Sequence, residues 1–463
     1  MPRAGWVKPK TESRLSDFVS VGLLVKVFPP GLVDEVVAAA GRKEQRVRSL
    51  PARVVVYFVV GLALFGSESY EEVFVQLTAG LSWVKRWREN WKVPSASALF
   101  QARVRLGVEP VRLLYRRVAQ PLASLSTPGA WAGGRRLVAI DGTCFDVADS
   151  VENDAFFGRP GTAKGERAAY PQVRMVGLVE VGTHAIIDAV MGPYSTSEVE
   201  LSKELLGRLQ RGMLCLADRG FYGFSAWKAA VASGADLLWR MRSSQRLDPL
   251  EVLADGSYLS KVYEVSNVKR RGDGLVVRVI EYQIQDGRSK DTSYRLITTI
   301  LDPNTLSARE CALAYTERWE IENCLDELKT HQRGPRTVLR SKSPELVEQE
   351  LWGHLCCHYA VRSLMWEAAD HIVEDPDRVS FITALRIVRR SMSQSGDLSP
   401  SPLYRLWAIA NNELQDLLNP KRRTRSNPRV VKRKYTKWHV KRDSHASWPQ
   451  PTHPPIPTIL YLT

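Results

Sequence analysis

The stretch YTERWEIENCLDELK, Tyr315 to Lys329, holds five acidic and two basic side chains. Read as one α-helix, it turns by about 100° per residue. Measured from Glu322, Tyr315 then falls about 20° away, Arg318 about 40° and Lys329 about 20°, so the four share an arc of roughly 60°. Glu317, Glu320 and Glu327 point away from that arc. A phenol, a guanidinium, a carboxylate and an ammonium on one helix face have two readings. They are a ladder of ion pairs on a solvated surface, or the phosphate-handling wall of an active site.

Two further carboxylates favour the second reading. Asp141 is expected at the end of the strand LVAI and Asp218 at the end of the strand MLCLA. In α/β sheets, functional groups gather at strand ends. Three carboxylates from three core elements, with no His or Cys among them, suit hard cations with oxygen ligands. Two Mg²⁺ ions, with Mn²⁺ expected to substitute, would activate an attacking oxygen and stabilise a leaving oxygen in phosphoryl transfer. Asp146 is an odd number of residues from Asp141 and faces the other side if the strand continues. Asp149 and Asp236 are set aside as well.

Other elements must position these groups. Residues 1–124 read as an all-helical N-terminal domain. In it VVVYFVVGLALFG is a buried helix, and SASALFQARVRLGVEPVRLLYRRVAQPLA is two short helices broken at Gly107. That pair has the form of a helix-turn-helix, presenting Gln101, Arg103 and Arg105 to DNA. Trp83, Trp87 and Trp91 form a stripe at i, i+4 and i+8, more typical of a core. The linker SLSTPGAWAGG leads into residues 125–241, whose order β-β-β-α-β-α-β marks a mixed α/β layer. Its first hairpin turns at Gly-Thr-His. Residues 242–292 form a β-rich insertion. Residues 293–400 return to the core and add C-terminal helices, and 401–463 are a basic tail.

The formal charge is +15 with pI ≈ 9.6, a balance that favours polyanionic partners, nucleic acid above all. Lys421 to Arg442 carries eleven basic residues and no acid. With Tyr435 and Trp438 available to stack, it reads as a DNA-backbone arm. The six cysteines form no CxxC pair, which fits a reduced cytoplasm. No apolar run reaches the roughly 20 residues of a membrane span, and the N-terminal residues lack a secretory pattern. His354 and His358 have a metal-ligand spacing but no evident third ligand, and read as helix packing.

The order strand-Asp (AIDGT), strand-Asp (LADRGFY), helix-Glu resembles the DDE transposases of bacterial insertion sequences, which have a ribonuclease-H-like core. The series Tyr-x2-Arg-x3-Glu-x6-Lys, met by Tyr315, Arg318, Glu322 and Lys329, resembles the Y-R-E-K signature of the insertion-sequence-four family. The resemblance implies an α/β fold with a ribonuclease-H-like mixed-sheet core, the β-rich insertion and the helical N-terminal domain. It also implies that Asp141, Asp218 and Glu322 are the metal-binding catalytic triad. Arg318 and Lys329 would grip the DNA backbone near the cut, and Tyr315 would hydrogen-bond a phosphate. Tyr294 stands where relatives hold an extruded base against an aromatic ring. The implied activity is cut-and-paste transposition. Element ends would be cleaved through a hairpin intermediate and joined to target DNA by a homodimer in a synaptic complex, in the cytoplasm at the nucleoid. A nuclease without strand transfer and a catalytically silent DNA-binding protein are the alternatives.

Overall fold

The computed structural model describes residues 19, 21–45, 49–79, 93–161, 167–242, 244–264, 274–284, 293–334, 337–392 and 400–420. Of the tail it describes 430–431, 439–440, 442–443 and 457–460. The tryptophan stripe, much of the β-rich insertion's loops, and Tyr435 and Trp438 lie outside these residues.

The helices are α1 (Pro30–Ala39), α2 (Ala52–Leu64), α3 (Tyr70–Thr78), α4 (Ala96–Leu106), α5 (Glu109–Val118), α6 (Val151–Phe157), α7 (Glu198–Leu206), α8 (Phe224–Ala232), α9 (Ala308–Thr316), α10 (Glu320–Asp326), α11 (Pro344–His371), α12 (Phe381–Ser391) and α13 (Pro400–Asp416). The strands before the tail are β1 (Trp131–Ala132), β2 (Arg135–Asp146), β3 (Gln172–Glu180), β4 (Ala185–Pro193), β5 (Met213–Ala217), β6 (Asp236–Arg240), β7 (Glu251–Val252), β8 (Tyr258–Val262), β9 (Leu275–Ile284) and β10 (Ser293–Thr298), and the tail adds Val430–Val431, His439–Val440 and Pro457–Ile459. They fall into two units. One holds residues up to 130, 140–205 and 320–418. The other holds 131–139, 206–319 and 419–463.

In the first unit α2 and α11 are the central helices. Every residue of α2 from Val54 to Leu64 is buried, as expected of a helix that is apolar all round. It packs on α11, where Gly353 allows the approach. A Cβ there would lie 2.8 Å from Val59 Cγ1 and 2.9 Å from its carbonyl oxygen. Ser69 and Ser95 cap α3 and α4 through bonds from the Glu72 and Ala98 N–H groups. Gly107, at φ 69°, separates α4 from α5. The strands run in the order β4-β3-β2, with β3 and β4 an antiparallel hairpin. Ser197 Oγ accepts from the Glu200 N–H at the start of α7.

Arg103 departs from the helix-turn-helix expectation. It is fully buried and donates to Gln349 Oε1 (2.9 Å), Ser341 Oγ and the Leu346 carbonyl (both 3.1 Å). Arg105 reaches the Leu50 carbonyl at 3.1 Å. Both guanidiniums tie α4 to its own unit. Five donors on one planar group satisfy several acceptors at once, so an arginine on an apparently polar face is equally suited to an interior.

In the second unit the strands run β2-β5-β6-β10-β9-β8-β7, with only the first residues of β2 belonging here. β5 and β6 are parallel, with α8 as their crossover. β6, β10, β9, β8 and β7 are antiparallel in succession. The described strands of the β-rich insertion therefore extend the sheet that contains β6 and β10. Arg278, fully buried on β9, pairs with Asp255 and donates to Ser257 Oγ and the Leu306 carbonyl, both at 2.7 Å. Ser307 and Glu310 form a capping box on α9.

Candidate active site

The opening stretch is not one regular helix. α9 ends at Thr316, Glu317–Trp319 is a 3₁₀ turn, α10 follows, and Glu327–Gln332 is a π-helical turn. Tighter and looser turns carry different rotations per residue. The uniform 100° step therefore holds within α10 and fails at Tyr315, Arg318 and Lys329.

In the first unit Asp141 lies within β2 instead of ending a strand, because β2 continues to Asp146. Asp141 Oδ1 accepts from the Gly142 N–H at 2.8 Å. A Cβ on Gly142 would lie 2.7 Å from the Glu198 carboxylate carbon, so that acid packs directly on the strand beside Asp141. Asp146 accepts from Gln172 Nε2 at 2.7 Å, a structural bond. Glu322 is exposed on α10. Lys329 is exposed on the π turn, with its ammonium 6.0 Å from the Phe145 ring centre.

The other side of this segment is buried. Glu327 accepts from Arg362 Nε at 2.8 Å, and His358 Nε2 lies 3.4 Å away. Burial would raise its pKa, but the Arg362 guanidinium and the His184 and His358 rings outweigh that and hold its carboxyl well below the usual range. His184, in the β3–β4 turn, has Nε2 3.1 Å from Glu320 and 3.3 Å from Asp377. Burial and the neighbouring Arg362 oppose its charge. Asp377, Glu320 and Glu327 outweigh them and push its pKa up to about 9. Ligand-type atoms of His184, Glu320 and Asp377 all lie within 4.8 Å of one another. A ring with that pKa carries a proton on Nε2 at neutral pH and donates it to the carboxylates. With the ring protonated, these groups form an ion-pair cluster. His354, by contrast, faces Gln332 Nε2 at 3.2 Å, and burial holds its pKa well below the usual histidine range. Both α11 histidines are thus packing and hydrogen-bonding groups.

In the second unit Asp218 follows the last residue of β5, as expected. Its Oδ1 is buried with no hydrogen-bond partner, and the Arg240 Nη1 lies 3.9 Å off. Tyr315 is 3% exposed, and its hydroxyl donates to the Ala217 carbonyl at 3.4 Å. Burial, with Asp218 adding to it, raises its pKa against the pull of Arg318 and Arg240. Arg318 is buried, 5.9 Å from the Tyr315 ring centre and 5.1 Å from that of Trp319. Tyr294 stacks on Tyr282 (5.1 Å between centres, 17° between planes), and Arg240 lies 4.3 Å from its ring centre. Arg219, Arg240, Arg295 and Tyr294 line one small pocket. Asp218, Tyr315, Arg318, Arg240 and Tyr294 are thus neighbours within this unit.

Sequence spacing singled out Glu322 and Lys329 but missed the cluster behind them. Glu320, Cys324 and Glu327 recur at i, i+4 and i+7, the mark of a second working face. Arg362, His184 and Asp377 come from distant elements and left no such mark. Arg240 and Glu198 were missed for the same reason.

Residues 18–116 match the insertion element 4 transposase N-terminal model and residues 132–360 the transposase DDE domain. A transposase of Escherichia coli (strain K12), InsG for insertion sequence element IS4, is 32% identical over 412 residues, covering 88% of this chain and 91% of that protein. The putative transposase InsZ of the same organism is 28% identical over 221 residues, 48% of this chain and 71% of its own length. A cryo-EM structure of the piggyBac transposase synaptic complex with hairpin DNA covers 87% of this chain and 86% of its own, at 12% identity and a TM-score of 0.43, a loose likeness. The mixed sheet with its DDE domain is a ribonuclease-H-like core, and DDE transposases generally use a divalent metal. Among the described residues no helix is long and apolar enough to cross a membrane. The chain belongs to the insertion-sequence-four family of DDE transposases, enzymes that act on DNA.

Proposed function

We propose that this transposase moves its element by cut-and-paste. It cleaves at the terminal inverted repeats through a hairpin intermediate and joins the freed ends to target double-stranded DNA. Asp141, Asp218 and Glu322 are the catalytic carboxylates and the ligands of two Mg²⁺ ions, with Mn²⁺ able to substitute. When bound, the ions would supply charge to the attacking and leaving oxygens. The single observation that carries the reading is Asp218, whose buried Oδ1 has no hydrogen-bond partner. A buried carboxylate oxygen left so is costly, and a cation satisfies it.

The chain's own residues do the rest. Arg318 and Lys329 hold backbone phosphates near the cut. Tyr315 contacts a phosphate through the hydroxyl that also reaches the Ala217 carbonyl. Tyr294, flanked by Tyr282 and Arg240, is the aromatic against which an extruded base is held. The helical segment 1–124 engages the terminal repeats, the basic tail tracks the backbone, and two copies pair the two ends.

The test is a plasmid carrying the DNA that flanks the gene, incubated with the protein in Mg²⁺ and then Mn²⁺, beside Glu322→Gln. Cleavage at the flanking repeats with hairpin ends on denaturing gels, lost in a variant that still binds, supports the reading. Nicks without hairpins or joined products favour a nuclease. Retardation of the DNA by both proteins without any cutting overturns the enzyme.

A further inference from the structure

His184 is one of two non-glycine residues, among those described, in the left-handed backbone region (φ 55°). Such a conformation persists only where surrounding structure holds it, and it clusters at working sites. Three groups of the Glu322-bearing segment converge on this residue. Glu320 Oε2 lies 3.1 Å from Nε2, Cys324 Sγ donates to the carbonyl oxygen at 3.2 Å, and Glu327 Oε1 lies 3.6 Å from Nδ1. They form one stripe, i, i+4 and i+7, down the inner side of α10 and into the π turn. Arg362, 2% exposed, joins Glu327 to the Nδ1 edge of the ring. Glu322 and Lys329 stand on the exposed side of the same segment.

The π turn begins at Glu327. A turn with an extra residue rotates everything after it relative to an α-helix. Holding Glu327 therefore fixes where that rotation starts, and so where Lys329 points. Holding Glu320 and Cys324 fixes the rotation of α10, and so where Glu322 points. We propose that the His184 turn, with Arg362, is a clamp of positioning residues that sets the rotation of the segment carrying Glu322 and Lys329. This rests on the reading of Glu322 as a catalytic carboxylate.

The informative variant is His184→Asn. Asparagine accepts the left-handed backbone, and the carbonyl bonded by Cys324 remains. The shorter side chain no longer reaches Glu320 or Asp377, whose side chains are 13% and 30% exposed and can regain water. Three readouts are compared: Mn²⁺ binding by electron paramagnetic resonance without DNA, single-turnover cleavage of a terminal-repeat duplex, and affinity for that duplex without divalent metal. The clamp predicts Mn²⁺ binding weakened about tenfold and cleavage slowed about 10²-fold, the scale of a misplacement near 1 Å. Duplex affinity should fall by no more than it does in Lys329→Gln, and His184→Gln, which restores a donor of the right reach, should recover these losses. Wild-type Mn²⁺ binding and cleavage in His184→Asn, or equal losses in the Gln variant, overturn it. Glu322→Gln runs alongside. If it alone loses Mn²⁺ binding and cleavage, the clamp fails and the catalytic reading survives. If it too behaves as wild type, the catalytic reading falls and takes the clamp with it. Should His184→Asn fail to fold, Glu327→Gln with Arg362→Met removes both partners of the buried pair and faces the same outcomes.

Discussion

The two sides of one segment, residues 320–332, are built on opposite principles. Glu322 and Lys329 are exposed, and the rotation of their backbone sets where they point. Glu320, Cys324 and Glu327 face inward and meet His184, Arg362, His358 and Asp377. An exposed charge contributes little to stability and is accessible to a ligand. A buried charge is costly to strip of water, and removing its partner is costlier still. The outer side is therefore expected to govern reaction, and the inner side to govern folding and aim.

The largest expected effect breaks the outer side alone. Glu322→Gln should lower cleavage by about 10³-fold or more, the scale lost when a group stabilising developing charge is removed. Its melting temperature should match the parent's, and end-duplex affinity should survive. Cleavage near the parental rate, or a large loss of thermal stability, would dissolve the contrast.

The next effect breaks the inner side. Arg362→Met leaves Glu327 buried without its strongest partner and should cost about 3–5 kcal/mol, read by urea unfolding. Adding Glu327→Leu removes the stranded charge and should recover much of that. If the double variant is as unstable as the single, the pair contributes through packing and not through its charge.

Acidity tests the same cluster more gently. The folded pKa of His184, near 9, lies above its ordinary 6.5. Its contribution is complete below about 6.5 and is lost as pH rises through about 9, a difference of roughly 3 kcal/mol. Glu320, Glu327 and Asp377 supply the attraction, and Arg362 opposes it. Stability by chemical unfolding should fall between pH 7 and pH 10, and His184→Asn should flatten that slope. Glu327 acts in the other direction. Its depressed pKa gives stability present above about 4.5 and lost at more acid pH.

Much of this arrangement is legible in the sequence, and the reasons are local. Apolar runs mark α2 and β5, Gly107 marks the break between α4 and α5, and Gly-Thr-His marks the β3–β4 turn. Spacing within α10 marks its exposed side. Two kinds of feature are not legible. The 3₁₀ and π turns that flank α10 leave no mark in the residue spacing, and a helical reckoning from one residue cannot foresee them. The fate of an arginine is also decided by distant acceptors. Arg103 reads as a DNA contact because its helix pair has the form of a helix-turn-helix, yet Gln349, Ser341 and Leu346 lie more than 200 positions away in the chain. Partners that far off leave no periodic trace.

The smallest expected effect concerns Lys329. Its ammonium is exposed and lies 6.0 Å from the Phe145 ring centre, too distant and too wet for a strong cation–π contact. Lys329→Gln should therefore move stability by no more than about 0.5 kcal/mol. If the lysine neutralises one phosphate, the variant should bind end duplex more weakly at every salt concentration. The slope of log affinity against log salt should fall by about 0.9, one counterion fewer. An unchanged slope would place Lys329 off the DNA and leave Glu322 as the one working group on that side. A loss of several kcal/mol in stability would mean that the exposed side also holds the fold, and that the two sides of the segment are not separable.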